Sequence, residues 1–395
     1  MAEPLIYALA SAMHDRYGTH PDDVRVIRAP YRICPLGVHV DHQLGTVTAF
    51  AIDRAVHLAY VPCESGEIRM QSIDYPGEVH AAVNDVGPAS PGDWGNYLLG
   101  AVAALSKRLE LSVGVVGVTS GTFADAGLGS SAAIAVSYLL ALEDVNRIRV
   151  RDEHNIRLAQ DIENDYLGLH NGIMDQAAIL RSRKDHLSVI DCKTGQCGRL
   201  PKASDTSPFT WLLAFSGLQE DVPATALDTR PAECVEAASL MLDAAGRKDV
   251  RPLLGNVRQE EYETLRSTLP AHLRSRADHF FTERTRVHAG AAAWQNGDIE
   301  QLGRLVSQSG ASFIENYECV SPALVDLYET LVDTPGVYGA RPSGSSQRGC
   351  CIALANAECV DAITEHVLEC YGARRGRSTK AEVIRVETDN GARWL

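Results

Sequence analysis

A chain of 395 residues, 45% hydrophobic and 22% charged, has the composition of a globular protein long enough for two domains with their own cores. Its formal net charge of −14 argues against a nucleic-acid surface and leaves any anionic substrate to local basic sites. Apolar runs break well before about 18 residues, and no basic-then-apolar leader opens the chain. The ten cysteines include no C-x-x-C pair. The expectation is therefore a cytoplasmic protein with reduced thiols, no membrane partner and no nucleic-acid partner.

In chain order, residues 4–19 read as an amphipathic helix through Leu5, Ile6, Leu9 and Met13. Residues 24–29 alternate like a strand that Pro30 should end, and 45–52 with 55–61 read as a hairpin-like pair. Between them Arg32, Cys34, His39, Asp41 and His42 make a candidate site, against the plainer reading of a solvated polar loop. Residues 94–109 read as a helix and 113–119 as a strand. Next, Gly127-Leu128-Gly129-Ser130-Ser131-Ala132 heads a long Ala/Leu/Val run without proline. The free amides of a helix's first turn and its positive dipole end attract anions. Glycines let the backbone approach, and serine hydroxyls can reach phosphate oxygens or Mg²⁺. An ordinary serine N-cap is the plainer alternative.

Residues 152–167 read as a helix carrying Glu163, and Asp175 follows among apolar neighbours, either a paired structural acid or a general base. Strands are expected at 187–191 and 211–215, with a boundary in 202–208 that divides the chain into domains 1–205 and 206–395. The second half reads as helices at 232–245, 259–268, 273–296, 299–314 and 322–334. A Gly/Ser-rich stretch at 336–351 reads as a loop walling a cleft, ahead of a strand at 352–354, and 383–387 reads as the last strand.

Four of these segments occur together in one order: Ala29-Pro30-x-Arg32 through Gly37-x-His39-x-Asp41, residues 127–133, Gly172-Ile173-Met174-Asp175-Gln176, and residues 339–351. Jointly they resemble the GHMP-superfamily kinases, closest to the galactokinase branch, over nearly the whole chain. Within that branch residues 29–37 and 314–319 look most like galacturonokinases. The resemblance implies an α+β, two-domain architecture, ribosomal S5 domain 2-like and then ferredoxin-like, with the active site in the interdomain cleft. It also implies ATP- and Mg²⁺-dependent phosphorylation of a sugar's anomeric hydroxyl. By position in the motifs, Asp175 would accept the hydroxyl proton and Arg32 would hold it ionised and stabilise the transferring phosphoryl group. Ser131 and Glu163 would hold Mg²⁺. Gly127, Leu128, Gly129, Ser130, Ser131 and Ala132 would cradle the phosphates, and Trp94 would line the adenine pocket. Val38, His39, Asp41, Gly172 and Leu227 fall at sugar-binding positions.

The departures bear on the sugar. Galactokinases place a glutamate where Val38 stands; facing a C6 carboxylate it would repel, so valine fits a uronic acid, and equally a sugar without C6 such as arabinose. His39, His170 and Arg230 are candidate cations for such a carboxylate. Leu227 replaces the tyrosine expected three residues before Arg230, and serines replace a glycine and a small residue within 344–349. The expected substrate is D-galacturonate, giving galacturonate 1-phosphate, with galactose or L-arabinose next. A catalytically silent sugar sensor is the rival from another class. A Walker-type NTPase lacks its G-x-x-x-x-G-K-[ST] run here.

Overall fold

The first half of the chain is organised on one long strand. In the order of the chain it comprises α1 (Ala2–Tyr17), β1 (Arg25–Ile33), β2 (Thr46–Cys63), β3 (Glu67–Ser72), β4 (Glu78–Ala82), α2 (Asn96–Ser106), β5 (Gly114–Gly121), α3 (Ser130–Val145), α4 (Asp152–Asp161), α5 (Met174–Arg181), β6 (His186–Asp191) and β7 (Gln196–Pro201). The second half comprises β8 (Phe209–Phe215), α6 (Ala224–Ala244), α7 (Gln259–Leu265), α8 (Ala271–Gln295), α9 (Ile299–Ser312), α10 (Pro322–Val332), β9 (Val337–Ser343), β10 (Cys350–Asn356), α11 (Val360–Arg375), β11 (Glu382–Val386), β12 (Thr388–Asp389) and β13 (Arg393–Trp394). This structure, a computed structural model, describes residues 2–121, 126–218, 220, 224–344, 349–376 and 379–395, with 2–4 and 224–228 described by backbone alone. Helices and sheets are segregated in an α+β arrangement.

The first sheet runs β13-β1-β2-β5-β3-β4, with β6 and β7 continuing from the start of β2. All pairs in it are antiparallel except β3 with β5. The second sheet is antiparallel, β11-β8-β10-β9. The chain changes sheets between Pro201 and Phe209, and its last two strands return to the first sheet, β13 on β1 and β12 on β2. β12 and β13, which fall within the expected domain 206–395, thus pair with strands of the first half.

Three local expectations are corrected. Pro30 does not end β1: the strand passes through it, and the register shifts between Pro30 and Arg32, where a residue without an N–H is tolerated. The expected hairpin at 45–61 is one strand, β2, because its two halves have different partners, β6 at 46–49 and β5 at 56–63. Residues 337–343 of the supposed loop are strand β9. Residues 345–348 of that motif lie outside the described residues.

Burial follows the periodicities. One apolar core lies between the first sheet and α2–α4, through Leu58, Leu98, Val102, Leu139 and Leu158. A second joins the segment after β1 (Cys34, Val38, Val40) to α5, α6 and α8 and to the residues after α9 (Phe313, Tyr317). A third packs α10 and α11 on the second sheet. All ten cysteines are free, and no helix among the described residues is long and apolar enough to cross a membrane.

The α3–α4 contact contains a titratable group, Glu143. Glu143 and Asn155 are both buried, and Asn155 Nδ2 donates to Glu143 Oε2 at 3.3 Å. Burial pushes the Glu143 carboxyl from its ordinary 4.5 up to about 7. An acid raised on folding stabilises the fold while protonated, so its contribution is full below about pH 4.5 and is lost as pH rises through 7. Two to three units correspond to about 3 kcal/mol. Glu143→Gln, a neutral isostere, is expected to flatten the fall in unfolding free energy between pH 5 and 8, measured by urea denaturation; an unchanged slope counts against a proton on Glu143.

Candidate active site

The site is assembled from three chain turns around Arg32. Arg32 stands at the end of β1, and its backbone N–H donates to Leu128 O at 2.9 Å. Its Nη1 donates to Gly127 O at 2.7 Å, while Nε and Nη2 form a fork on Asp175, to Oδ1 at 2.7 Å and Oδ2 at 2.8 Å. Such a two-point guanidinium–carboxylate pair fixes orientation as well as charge. Asp175 lies in the first turn of α5.

The glycines of the second motif are fixed by this pair. Gly129 caps α3 with φ 77°, and a Cβ there would stand 3.2 Å from Asp175 Oδ2 and 3.2 Å from Arg32 Cγ. Gly127, at φ 72°, lies under the second sheet: its Cβ would meet Ser343 O at 2.4 Å, and Ser343 Oγ donates to Gly127 O. The segments 127–133 and 339–351 therefore meet backbone to backbone, at the end of β9. Ser130 and Ser131 open α3, with Ala132 buried behind them.

Beyond α4 the helix widens into a π turn over Ile162–Tyr166, which carries Glu163. Glu163 is buried and accepts from Ser131 Oγ at 3.0 Å, Gln176 Nε2 at 2.8 Å and Asn171 Nδ2 at 3.1 Å. Burial, and then the negative charge of Asp175, pushes its carboxyl up to about 7. Every one of these donors is neutral, and Gln176 Oε1 is itself buried without a hydrogen-bond partner among the described residues. This oxygen set suits a hard divalent cation that also takes ligands from a phosphate. Among the described residues no three His, Cys, Asp or Glu side chains gather as a metal cage.

A second group of candidate residues is set by the segment 37–42. Asp41 packs on Gly172 so closely that a Cβ on the glycine would lie 2.2 Å from its Oδ2. Burial works to raise the Asp41 carboxyl, but His42 and then His39 outweigh it and hold the acid below its ordinary value. His39 has a left-handed backbone, φ 53°, and its ring stacks on Tyr317 at 4.9 Å, with Phe313 at 4.8 Å. Burial, then His42, pushes His39 down to about 3, so its ring is neutral. The Nε2 atoms of His39 and His42 are buried without hydrogen-bond partners among the described residues. Val38 is buried in the apolar cluster with Phe313 and Tyr317.

Arg32, Asp175, Gly127, Leu128, Gly129, Ser131 and Glu163 thus come together, and Val38, His39, Asp41 and Gly172 form a second group beside them. Trp94 precedes α2 and donates from Nε1 to Pro76 O at 3.2 Å. Leu227 lies within α6, its side chain outside the described residues. Arg230 is engaged by Glu233 and Glu318, and His170 is exposed. Sequence reasoning missed Phe313 and Tyr317, although the segment 314–319 had drawn notice, and it missed Ser343 and the amides of Asn171 and Gln176.

Comparison with known proteins accords with this geometry. Residues 96–183 match the GHMP kinases N terminal domain family and residues 291–373 the GHMP kinases C terminal family. The chain is 41% identical to a galacturonokinase of Arabidopsis thaliana, over 92% of this chain and 91% of that one. It is 30% identical to a galactokinase of Roseiflexus sp. (strain RS-1), over 97% and 96%. The crystal structure of Lactococcus lactis galactokinase complexed with galactose superposes with a TM-score of 0.91 at 25% identity, covering 99% of this chain and 100% of that one. A mevalonate kinase of Methanococcus jannaschii shares the fold, with a TM-score of 0.65 at 16% identity over 95% of this chain and 100% of that one. By the two matched domains and the near-complete span of these relatives, the chain belongs to the GHMP kinase family, in its galactokinase branch.

Proposed function

We propose that the protein transfers the terminal phosphoryl group of ATP to the anomeric hydroxyl of D-galacturonate, giving galacturonate 1-phosphate and ADP. The observation that carries this reading is the fork of Arg32 on Asp175 at the glycine-capped start of α3. In-line phosphoryl transfer needs positioning, charge neutralisation and a destination for the hydroxyl proton. Asp175 orients the C1 hydroxyl and takes its proton as the new O–P bond forms and the bond to the ADP oxygen breaks. Arg32 holds that carboxylate ionised and in one orientation, and its positive charge lies beside the phosphoryl group in flight. The amides of residues 127–132 and the dipole of α3 receive the ATP phosphates, and Trp94 lines the adenine side.

Mg²⁺ fits the oxygens around Glu163: Ser131 and Glu163 would hold it, and it would supply charge neutralisation to the phosphates. A cation there would remove the cost that raises Glu163, since every protein donor on that acid is neutral.

The uronate is supported by the Arabidopsis relative and by two features of the sugar end. Val38 presents no negative charge to a C6 carboxylate. The unpartnered Nε2 atoms of His39 and His42 offer buried donor positions beside Asp41, whereas Arg230 is already paired with two glutamates. On this reading Asp41, Gly172 and His39 face the ring hydroxyls, and Leu227 lacks the hydroxyl a tyrosine would supply.

A coupled ADP-release assay over galacturonate, glucuronate, galactose and L-arabinose tests the assignment. Galacturonate is expected to show the highest kcat/KM; preference for galactose or arabinose would reassign the sugar, and no turnover of any would favour the silent sensor. Asp175→Asn is expected to lower kcat by roughly 10³-fold, the scale of losing a positioned acid–base group, with the circular dichroism spectrum retained. Near-normal turnover would remove the mechanism. Val38→Glu is expected to cut kcat/KM for galacturonate by on the order of 100-fold while sparing galactose, because apposed like charges cost several kcal/mol. Equal losses on both sugars would show that residue 38 does not read C6.

A further inference from the structure

Glu283 lies in the middle of α8 with none of its surface exposed. A carboxylate so placed must find donors or neutralise. Three of its donors lie outside α8. Gly37 N–H donates to Oε2 at 2.6 Å, Val38 N–H at 3.3 Å and Ser309 Oγ at 2.9 Å, and Arg286 from the next turn covers Oε1. One turn earlier on the same helix, His279 is equally buried. Its Nε2 lies 2.9 Å from Val38 O and its Nδ1 2.9 Å from Ser312 Oγ. A carbonyl can only accept, so Nε2 carries the hydrogen and Nδ1 accepts from the serine. Both backbone polar groups of Val38 are thus held by one helix. Farther along that helix Gly290 leaves room for Leu36, whose Cδ1 would lie 2.1 Å from a Cβ there. Residues 279, 283 and 290 are four and seven apart, which puts them on one helical face.

The segment they hold is strained. Gly37 has φ 90°, with Val47 Cα 2.7 Å from where its Cβ would be, and His39 is a non-glycine at φ 53°. Left-handed backbone at a residue with a side chain costs of order 1 kcal/mol or more and persists where surroundings over-determine it. Here Glu283 and His279 supply that determination just before His39, and Tyr317 stacks on the ring itself.

We propose that α8 is the positioning rail of the sugar site: Glu283 and His279 fix the peptide planes on either side of Val38, and so aim the Val38 and His39 side chains at the substrate. The inference rests on the sugar-kinase reading above. It assigns these two residues to the sugar and not to ATP, because among the described residues their side-chain hydrogen bonds go to Gly37, Val38, Arg286, Ser309 and Ser312 and not to residues 127–132 or Glu163.

The test is steady-state kinetics on Glu283→Gln, with peptide-level hydrogen exchange run in parallel. The amide keeps the shape, but its NH₂ has to face donors that the second carboxylate oxygen now accepts. Expected are a KM for the sugar raised at least tenfold, a KM for ATP within twofold of wild type, and faster exchange across residues 36–40 with β3 and β5 unchanged. A second pair guards against misfolding. His279→Phe is expected to raise the sugar KM, and His279→Gln, whose amide can still donate to Val38 O, to bring it back toward wild type. Both KM values unchanged in Glu283→Gln, or rising together, overturns the proposal. Should wild-type protein phosphorylate no sugar in the panel, the kinase reading fails separately; exchange then decides, since unaltered protection at 36–40 in Glu283→Gln overturns the rail and its selective loss upholds it.

Discussion

The organisation of this protein depends on keeping one guanidinium out of water. Arg32 is buried, and its partner Asp175 lies 143 residues away in the chain. A buried ion pair repays desolvation only if the remaining donors and acceptors are also satisfied. Arg32 meets that condition with its fork on Asp175, its third nitrogen on Gly127 O, and its own amide on Leu128 O. Those bonds tie β1, the turn before α3 and the start of α5 into a single unit. They also dictate where side chains cannot be: Gly129 is bare because Arg32 and Asp175 occupy the space of its Cβ, and Gly127 because β9 ends there. The glycine pattern that looks in the sequence like a phosphate loop is at the same time the footprint of an ion pair and of a contact between the two sheets.

Four carboxyl groups, three of them buried and Asp41 partly so, show how environment divides chemically similar residues. Asp41 and Glu283 are held below their ordinary range because histidines, an arginine or backbone amides outweigh burial. Glu143 and Glu163 are raised to about 7 because their partners are neutral. The difference is one of charge in the surroundings and not of depth. Each also feels a second carboxylate, Asp152 beside Glu143 and Asp175 beside Glu163, and only the second pair lies among the candidate site residues. On the proposed reading a cation held by Ser131 and Glu163 would relieve the desolvation and the repulsion together.

Much of the phosphate end was legible in the sequence because its signals are local. Gly127 to Ser131 combine positive-φ positions with a helix start, Arg32 belongs to a cluster of titratable groups, and Asp175 stands out as a charge in apolar surroundings. The sugar end was legible only in part. His39 and Asp41 are local to one loop, but what shapes them comes from far away: Tyr317 stacks on His39, and Glu283 reaches Gly37 across 246 residues. On α8 itself Arg274, Arg276, Asp278, His279, Glu283, Arg284 and Arg286 are distributed around the helix, and spacing alone does not tell the buried acid among them from an exposed one. The strand errors have a similar origin. Asp53 and Arg54 look like a turn, yet β2 runs through them, with Asp53 N–H donating to Glu387 O and the two side chains paired at 2.6 Å. Pro30 looks like a stop, yet the register shift beside it takes up the missing donor.

These differences in legibility follow how the two ends of the candidate site are built. The phosphate end is mostly backbone: glycine turns and a helix terminus whose amides suit any polyphosphate, with Arg32 and Asp175 fixed by each other. Side chains there have little freedom to change without breaking the ion pair. At the sugar end the loop backbone is pinned from the opposite half of the chain, by Glu283, His279 and by Arg341 donating to Cys34 O at 2.6 Å. A loop whose peptide planes are held from outside can exchange the side chains it presents without losing its shape. On the proposed reading, a valine at position 38 then alters which sugar is accepted while the transfer machinery is left as it stands. A fold shared with a galactokinase at a TM-score of 0.91 and a different preference at C6 are compatible for that reason.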